Sequence, residues 1–227
     1  MPPQNPPVLS YLAMRRAVGI IALVLPAAAP LAGNPLPTSI SGYYYVGMLD
    51  FLLRSFLVGS LCAVAMFQLG CRGYDRRDEL AGILSAVCAI GVAFFPTAPE
   101  NASALQRQIG YVHYTFAGLL FLTLAYFCLF LFRLTNQSAP TDRKLLRNRV
   151  YQICGWIILA SIAAVGVFAI SGRETLFGLG VKLICETTAL VAFGIAWLVK
   201  GETFLKDLPI EADTTTAPKP LAKAHIA

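Results

Sequence analysis

Charged residues are scarce in this 227-residue sequence: they make up only 13% of it, about half the share that is usual in soluble domains. Hydrophobic residues make up 57%, more than one soluble core of this chain length can bury. The strict alternation over about ten residues that marks a strand of a membrane β-barrel is also missing. The composition therefore excludes an ordinary soluble domain and favours membrane-spanning helices.

Motifs that carry well-known chemistry are missing as well. The chain has only two histidines, His113 and His225, whereas a zinc site needs three or four converging ligands. It has no G-x-S-x-G nucleophile motif, no glycine-rich phosphate-binding motif and no C-x-x-C pair. No basic run interleaved with aromatic residues suggests a nucleic-acid partner. We therefore predict no metal and no cofactor, and the sequence favours a protein that is not an enzyme.

Long apolar blocks are what the sequence does contain. Each runs for about 17–24 residues, enough to cross a hydrocarbon core of about 30 Å as a helix. We predict an all-α integral membrane protein, a six-helix transmembrane bundle over residues 15–201. The predicted helices are Ala17–Gly33, Asp50–Gly70, Leu80–Phe95, Ile109–Phe132, Val150–Ile170 and Leu176–Val199. The flanking segments 1–14 and 202–227, rich in proline or polar residues, are predicted to be disordered.

The distribution of lysine and arginine predicts the orientation of the bundle. The net charge is +6, and the loop cations concentrate on one side, because the other side carries only Arg107 and Arg173. The positive-inside rule therefore places both termini in the cytoplasm. Trp197 falls near a cytoplasmic helix end, where tryptophan often anchors a helix at the interface. In an alternative interpretation, the Arg15-Arg16 pair begins a cleaved signal peptide, which would leave five helices.

Ionisable residues inside the predicted helices are the candidate functional residues, because a charge within a bilayer is costly unless it is paired or used. Arg54 lies one turn from Asp50 on the second helix, and Lys182 lies one turn from Glu186 on the sixth, so each pair shares a helix face. We predict that these residues form one outward-facing polar cluster, with Glu186 about 13–15 Å deep. The candidate ligand-binding residues are Asp50, Arg54, His113, Lys182, Glu186 and Tyr44.

Three functions are compatible with such a cluster. Arg54 and Lys182 suit the anionic headgroup of a lipid or small amphiphile, with a hydrogen bond from His113 or Tyr44. The charges also balance, so ion pairs between helices would equally suit a structural or partner subunit of a membrane complex. Glu186 would alternatively carry protons in a small carrier, although no inverted repeat is evident. We expect membrane lipids as partners in the first case and a membrane protein in the second.

A row of small residues on the third predicted helix offers a surface for close helix packing. The row has one small residue at every fourth position and consists of Ala81, Ser85, Ala89 and Ala93. Small residues let a neighbouring backbone approach closely. We predict that the row packs inside the bundle, and a homodimer face is the alternative.

Several segments, taken in order, carry a resemblance to a known family. They are SISGYYY at 39–45, GYDRRD at 73–78, FFPT at 94–97, GYVHYTFAG at 110–118, RNRVYQICG at 147–155 and FGIAWLVKG at 193–201. Together they resemble an uncharacterised family of bacterial inner-membrane proteins, a domain of unknown function, over about Arg15–Gly201. The resemblance implies a multi-pass protein of the bacterial cytoplasmic membrane, but no activity and no site residue. Zinc-dependent membrane hydrolases of the alkaline ceramidase type are rejected, because this chain lacks two of their histidines and one helix.

Overall fold

The computed structural model describes residues 11–33, 36–45, 50–70, 75–134 and 141–206. Within these ranges there are six α-helices: α1 Tyr11–Ala27, α2 Asp50–Gly70, α3 Arg76–Phe94, α4 Ala104–Leu129, α5 Asp142–Ser171 and α6 Val181–Lys200. Three short 3-10 helices lie at Ala29–Ala32, Ser41–Tyr45 and Leu131–Arg133. An antiparallel hairpin of two short strands, β1 Thr175–Leu176 and β2 Leu179–Gly180, joins α5 to α6. Apart from this hairpin, the regular secondary structure of the described residues is helical, as the sequence predicts.

Five of the described helical segments are long and apolar enough to cross a membrane. They are Tyr11–Ala32, Phe51–Gly70, Ala104–Arg133, Asp142–Ser171 and Val181–Lys200. The predicted multi-pass membrane protein is confirmed to that extent. The α3 helix is not among these five, and it begins with the charged sequence RRDE. Its uncharged remainder, Leu80–Phe94, is about 22 Å long at about 1.5 Å per residue, which is shorter than a hydrocarbon core of about 30 Å.

The six helices form a closed ring. Each helix packs against its neighbour in the sequence, and α6 packs against α1 to complete the circle. All six contribute side chains to one apolar core. One end of the ring carries the β-hairpin and residues 36–45, and we call it the hairpin end. The opposite end, which we call the basic end, carries Arg15, Arg16, Lys144, Arg147 and Lys200.

The contact between α1 and α6 depends on two glycines that face each other. A Cβ atom on Gly194 would lie 2.9 Å from the carbonyl oxygen of Gly19, and a Cβ on Gly19 would lie 2.9 Å from that of Gly194. Side chains of Leu23 and Leu198 would stand 2.8 Å from the same added atoms. Since a backbone oxygen cannot move aside as a flexible side chain can, both positions require glycine.

The predicted start of the sixth helix is wrong. The sequence analysis began it at Leu176, but residues up to Gly180 belong to the hairpin and α6 begins at Val181. Phe177 and Gly178 form the turn with φ values of 53° and 78°, which suit a tight hairpin and not a right-handed helix. The apolar run around this turn was mistaken for helix because hydrophobicity alone does not separate the two structures.

Four helices begin before the residues that their apolar blocks predict. They begin at Tyr11, Arg76, Ala104 and Asp142 rather than at Ala17, Leu80, Ile109 and Val150. Three of the added turns are polar and start at a side-chain cap, in which an oxygen accepts a backbone N–H of the first turn. The capping residues are Asp75, Ser103 and Thr141. Apolar blocks therefore mark the membrane-crossing part of each helix and underestimate its length.

The described structure extends into both segments that were predicted to be disordered. The α1 helix begins inside the segment 1–14 that was predicted to be disordered, and it ends at Ala27 instead of Gly33, after which Pro30 continues a 3-10 turn. In the predicted tail, the Arg147 guanidinium donates to the carbonyl oxygen of Leu205 at 2.9 Å. The rest of the two predicted disordered segments, 1–10 and 207–227, lies outside the described residues.

The row of small residues on α3 lies in the interior, as predicted. All four of its side chains are buried, and Ser85 donates its hydroxyl to the carbonyl oxygen of Gly82 at 3.0 Å. Because the chain itself covers the row, these four residues offer no surface to a second copy.

Trp197 is not an interface anchor. Its side chain is only 2% exposed, and its ring makes edge contacts with Phe132, Phe127 and Phe193 at centroid distances of 5.3–6.0 Å. Its position near a helix end suggested an interface, but that position could not show which face of α6 points inward. The indole instead forms the centre of an aromatic cluster near the basic end, where four elements meet.

We predict that Gly194→Ala lowers the thermal stability of the purified protein, because the added methyl group meets the Gly19 backbone. Overpacking of this kind costs about 1–3 kcal/mol. The matched control is Gly118→Ala in α4, where an added Cβ would have no neighbour within 4 Å. We expect that control to stabilise slightly, by about 0.5–1 kcal/mol, since alanine favours helix over glycine. Unfolding midpoints in detergent that shift equally in the two variants would contradict the close approach of α1 and α6.

Candidate functional site

A cavity of about 520 Å³ opens at the hairpin end of the ring. We call it the hairpin-end pocket. Its walls come from the segment 36–45, from the chain that follows α3, and from α4 and α6. The polar side chains in its lining are those of Thr38, Ser39, Ser41, Tyr45, Thr97, Glu100, Tyr114, Lys182 and Glu186. The pocket therefore combines one cation, two carboxylates, hydroxyl groups and apolar patches.

The Glu186 carboxylate binds the segment 36–45 to α6. Its Oε2 accepts the backbone N–H of Ile40 at 2.6 Å and that of Ser41 at 3.4 Å, and its Oε1 accepts the Ser41 hydroxyl at 3.2 Å. These donors lie at the start of the 3-10 helix Ser41–Tyr45, where backbone N–H groups lack partners within the helix. A carboxylate satisfies them and is favoured by their partial positive charge. Glu186 thus has a structural use within its own chain.

Lys182 lies one turn before Glu186 and lines the same pocket. Its side chain is exposed, and its ammonium stands 3.4 Å from the Tyr114 hydroxyl and 5.3 Å from the centre of the Tyr114 ring. The first distance is long for a hydrogen bond. Lys182 makes no ion pair with any described residue, so most of its three donor positions remain available to a ligand.

Three consecutive tyrosines tie the segment 36–45 to the ends of two helices. Their hydroxyl groups donate to backbone carbonyl oxygens that lie in α1, at the end of α3 and just after α3. The pairs are Tyr43 with Leu25, Tyr44 with Ala93 and Tyr45 with Thr97. Burial raises the pKa of Tyr43 to about 12, with a further contribution from the nearby Glu186 charge. The phenol therefore stays protonated and remains a donor at neutral pH.

Tyr44 and His113 are not part of the pocket lining, although the sequence analysis proposed both as ligand-binding residues. The Tyr44 side chain is buried and its hydroxyl is used by Ala93. His113 is 1% exposed, and its Nδ1 lies 2.6 Å from the carbonyl oxygen of Phe95. In that contact the ring joins α4 to the end of α3, which is a structural role.

Neither Arg54 nor Asp50 is among the described residues that line the pocket. Arg54 is exposed on α2 and does not line the cavity. Its positive charge nevertheless acts on Tyr44 and Tyr45, since it lowers the pKa of each phenol against the larger increase caused by burial. Asp50 is the first residue of α2, and its side chain lies outside the described part of the structure. Of the five predicted residues whose side chains the structure describes, only Lys182 and Glu186 line this cavity.

The observed helix starts change the distances of Glu186 and His113 from the first residues of their helices. Because α6 begins at Val181, Glu186 lies only about 7 Å from the start of its helix and not 13–15 Å. Because α4 begins at Ala104, His113 lies about 13 Å from the start of its helix. The carboxylate is therefore close to the hairpin end, where segment 36–45 reaches it.

Several pocket residues were missed by the sequence analysis. Tyr45, Tyr114 and Glu100 all line the cavity, but none of them is among the six candidate ligand-binding residues. One signal was available for Tyr114, since it adjoins His113 in a segment that the analysis had already selected. No sequence signal places Glu100 beside α6.

The basic end carries a second set of polar contacts that the sequence analysis did not anticipate. The Lys144 ammonium donates to the carbonyl oxygens of Phe132 and Leu134, both at 3.1 Å, and the Arg16 Nε–H donates to that of Gly201 at 2.8 Å. Cations near helix C-termini satisfy free carbonyl groups and complement the helix dipole. Part of the positive charge at the basic end therefore satisfies carbonyl groups at helix ends.

Comparison with known proteins does not assign this arrangement to a family. No family model matches the chain, and no curated protein or solved structure is significantly similar to it. The resemblance to a bacterial inner-membrane family therefore stays a prediction. Among the described residues, no three His, Cys, Asp or Glu side chains are grouped so that they could hold a metal ion.

We predict that Glu186→Ala releases the segment 36–45, because the backbone N–H groups of Ile40 and Ser41 lose their acceptor. Hydrogen bonds to charged groups contribute about 1.5–3 kcal/mol each, so amide hydrogens in this segment should exchange at least tenfold faster. Glu186→Gln, which keeps one acceptor oxygen, should have an intermediate effect. Hydrogen exchange followed by mass spectrometry measures the rates.

The control for this experiment is Glu100→Gln, which removes a carboxylate from the same pocket. Glu100 makes no hydrogen bond with the described residues, so the exchange rates of segment 36–45 should stay unchanged. Equal acceleration in Glu100→Gln and Glu186→Ala would show that pocket charge, and not the bonds to Ile40 and Ser41, holds the segment.

Proposed function

We propose that this protein is a multi-pass membrane protein that binds the anionic headgroup of a lipid or small amphiphile in the hairpin-end pocket. The observation that carries the proposal is the Lys182 ammonium, which lines a cavity of about 520 Å³ without an ion pair among the described residues. That volume falls within the range of about 300–1,000 Å³ that is typical of small-molecule sites. An ammonium whose hydrogen-bond donors are not taken up by an ion pair is available to an anionic group of a ligand.

The topology that we propose places the hairpin end away from the cytoplasm. The concentration of lysine and arginine at the basic end supports this orientation through the positive-inside rule. It also supports α3 as a sixth crossing, since its charged first turn lies at the basic end and its apolar part packs between α2 and α4. Both termini would then lie in the cytoplasm, and the family resemblance supports a bacterial cytoplasmic membrane.

The neighbours of Lys182 support an amphiphile over a small polar anion. The lining contains the apolar residues Ala32, Leu36 and Pro37 as well as Tyr45 and Tyr114. The apolar residues would contact an acyl or other hydrocarbon group, and the tyrosines would contact the polar headgroup. Glu186 does not oppose an anion strongly, because the three hydrogen bonds from segment 36–45 already spread its charge over their donors.

A structural or partner subunit is the second candidate function, and the bonds of Glu186 favour it. All three donors to this carboxylate come from its own chain, so the residue has a use without any ligand. The same bonds count against a proton carrier, because Glu186 is the acceptor in all three and protonation would reduce its acceptor capacity.

Native mass spectrometry of the detergent-solubilised protein tests the proposal, with phosphatidylglycerol and phosphatidylcholine added in equal amounts. Wild type should retain phosphatidylglycerol preferentially. Lys182→Gln should lose about tenfold in phosphatidylglycerol affinity, which corresponds to about 1.4 kcal/mol for one charge-assisted contact.

The matched control is Arg107→Gln, which removes a cation from the same end of the ring. Arg107 is exposed in the first turn of α4 and does not line the pocket, so lipid retention should match that of wild type. Lipid profiles that are identical in wild type and Lys182→Gln would contradict a ligand at this cation and would favour the structural subunit.

A further inference from the structure

A second cavity, of about 360 Å³, lies at the basic end, across the ring from the hairpin-end pocket. We call it the basic-end cavity. It is formed by the start of α3, the end of α4, the 3-10 helix that follows α4, and α5. Its polar side chains are those of Asp75, Arg77, Tyr126, Arg133 and Asn148. Nothing in the proposed function at the hairpin end uses these residues.

Two guanidinium groups line this cavity with donors to spare. Arg133 uses one nitrogen for the carbonyl oxygen of Leu129 at 3.1 Å, which leaves its other N–H groups available. The Arg77 side chain is exposed and makes no hydrogen bond with the described residues. The planar fork of arginine matches the oxygens of a phosphate group better than any other side chain does.

Asn148 adds a second feature that a ligand of the cavity would have to match, which is a hydrogen-bond acceptor without a donor. Its Oδ1 atom is buried and has no hydrogen-bond partner in the described part of the chain. A buried acceptor without a donor is unfavourable, and most buried polar atoms in native proteins are satisfied. A ligand in the cavity that fits Asn148 would therefore carry an N–H or O–H donor in addition to its anionic group.

Asp75 favours a positively charged donor. Its carboxylate caps α3 by accepting the backbone N–H groups of Arg77 and Asp78 at 2.9 and 3.0 Å, and it remains exposed beside the cavity. Carboxylate oxygens can accept more than two hydrogen bonds. Because the lining holds two guanidinium groups together with a carboxylate and an amide oxygen, it complements a zwitterion.

The edge of the cavity is apolar and exposed. Phe130 and Leu134 line it with exposed fractions of 59% and 43%. They follow the long apolar helix α4, which is one of the segments able to cross a membrane. Hydrocarbon attached to a ligand in the cavity would lie against these side chains, as the acyl chains of a membrane lipid would.

We propose that the basic-end cavity binds a phosphoethanolamine group, with its phosphate on Arg77 and Arg133 and its ammonium donating to Asn148 Oδ1 beside Asp75. The same group occurs as the headgroup of a membrane lipid and as a free phosphate ester. The exposed Phe130 and Leu134 favour the lipid. This proposal is independent of the hairpin-end pocket, because the two cavities share no residue.

Competition between two lipids in native mass spectrometry tests the proposal. Phosphatidylcholine carries the same phosphate but has no N–H donor, so wild type should bind phosphatidylethanolamine at least tenfold more tightly. Asn148→Leu removes the acceptor at similar volume and should abolish that preference while phosphate binding remains. Arg77→Gln combined with Arg133→Gln should weaken binding of both lipids, whereas Arg143→Gln, an exposed cation of the first turn of α5 outside the lining, should change neither.

Free phosphoethanolamine separates the two sources of the group. Displacement of the bound lipid only by intact phosphatidylethanolamine supports a lipid site, and displacement by micromolar free phosphoethanolamine supports a soluble ligand. Arg77→Lys, which keeps the charge but not the fork, provides a milder variant and should weaken binding less than Arg77→Gln. Equal binding of the two lipids by wild type, or unchanged binding in the double arginine variant, would overturn the proposal.

Discussion

The hairpin end of this protein depends on the hydrogen bonds that the Glu186 carboxylate accepts from segment 36–45. In a membrane-spanning chain, backbone groups that fall outside regular helices must find partners within the protein. The segment 36–45 leaves the helical ladder, and its free N–H groups at Ile40 and Ser41 are satisfied by this single side chain. In return, Thr38 of the same segment accepts the backbone N–H of Leu183 at 3.0 Å, in the first turn of α6. Segment 36–45 and α6 therefore provide hydrogen-bond partners for each other. The hydroxyl groups of Tyr43 and Tyr44 also connect this segment to α1 and α3.

Backbone groups without helical partners are satisfied at both ends of the ring, but by side chains of opposite charge. At the hairpin end a carboxylate binds free N–H groups, whereas at the basic end the cations Arg16, Lys144 and Lys200 bind free carbonyl oxygens. Both choices follow the direction of the helix dipole at the groups concerned. Among the described residues, Lys182 at one end and Arg77 and Asn148 at the other keep hydrogen-bonding atoms that these contacts do not use, and these are the positions at which we propose ligands.

The sequence predicted the membrane class and the pairing of Lys182 with Glu186, because both depend on local periodicity. Long apolar blocks identify spanning helices, and a spacing of four places two residues on one helical face whatever the tertiary structure. The sequence analysis was wrong where the position of a side chain depends on the rotation of its helix or on contacts with residues that are distant in the sequence. Nothing local shows that His113 turns toward Phe95, that Trp197 faces the core or that segment 36–45 reaches α6. The hairpin was not predicted because hydrophobicity does not reveal that two residues of this apolar run, Phe177 and Gly178, have positive φ.

Equilibrium binding of a headgroup-labelled anionic phospholipid, titrated into the detergent-solubilised protein, tests the central claim most directly when wild type, Lys182→Arg and Lys182→Gln are compared. The account predicts that Lys182→Arg keeps an affinity close to that of wild type, because the positive charge remains in the hairpin-end pocket. It predicts that Lys182→Gln loses about tenfold, which is the loss expected for about 1.4 kcal/mol. Equal affinities in all three proteins would contradict the claim that this cation receives an anionic ligand.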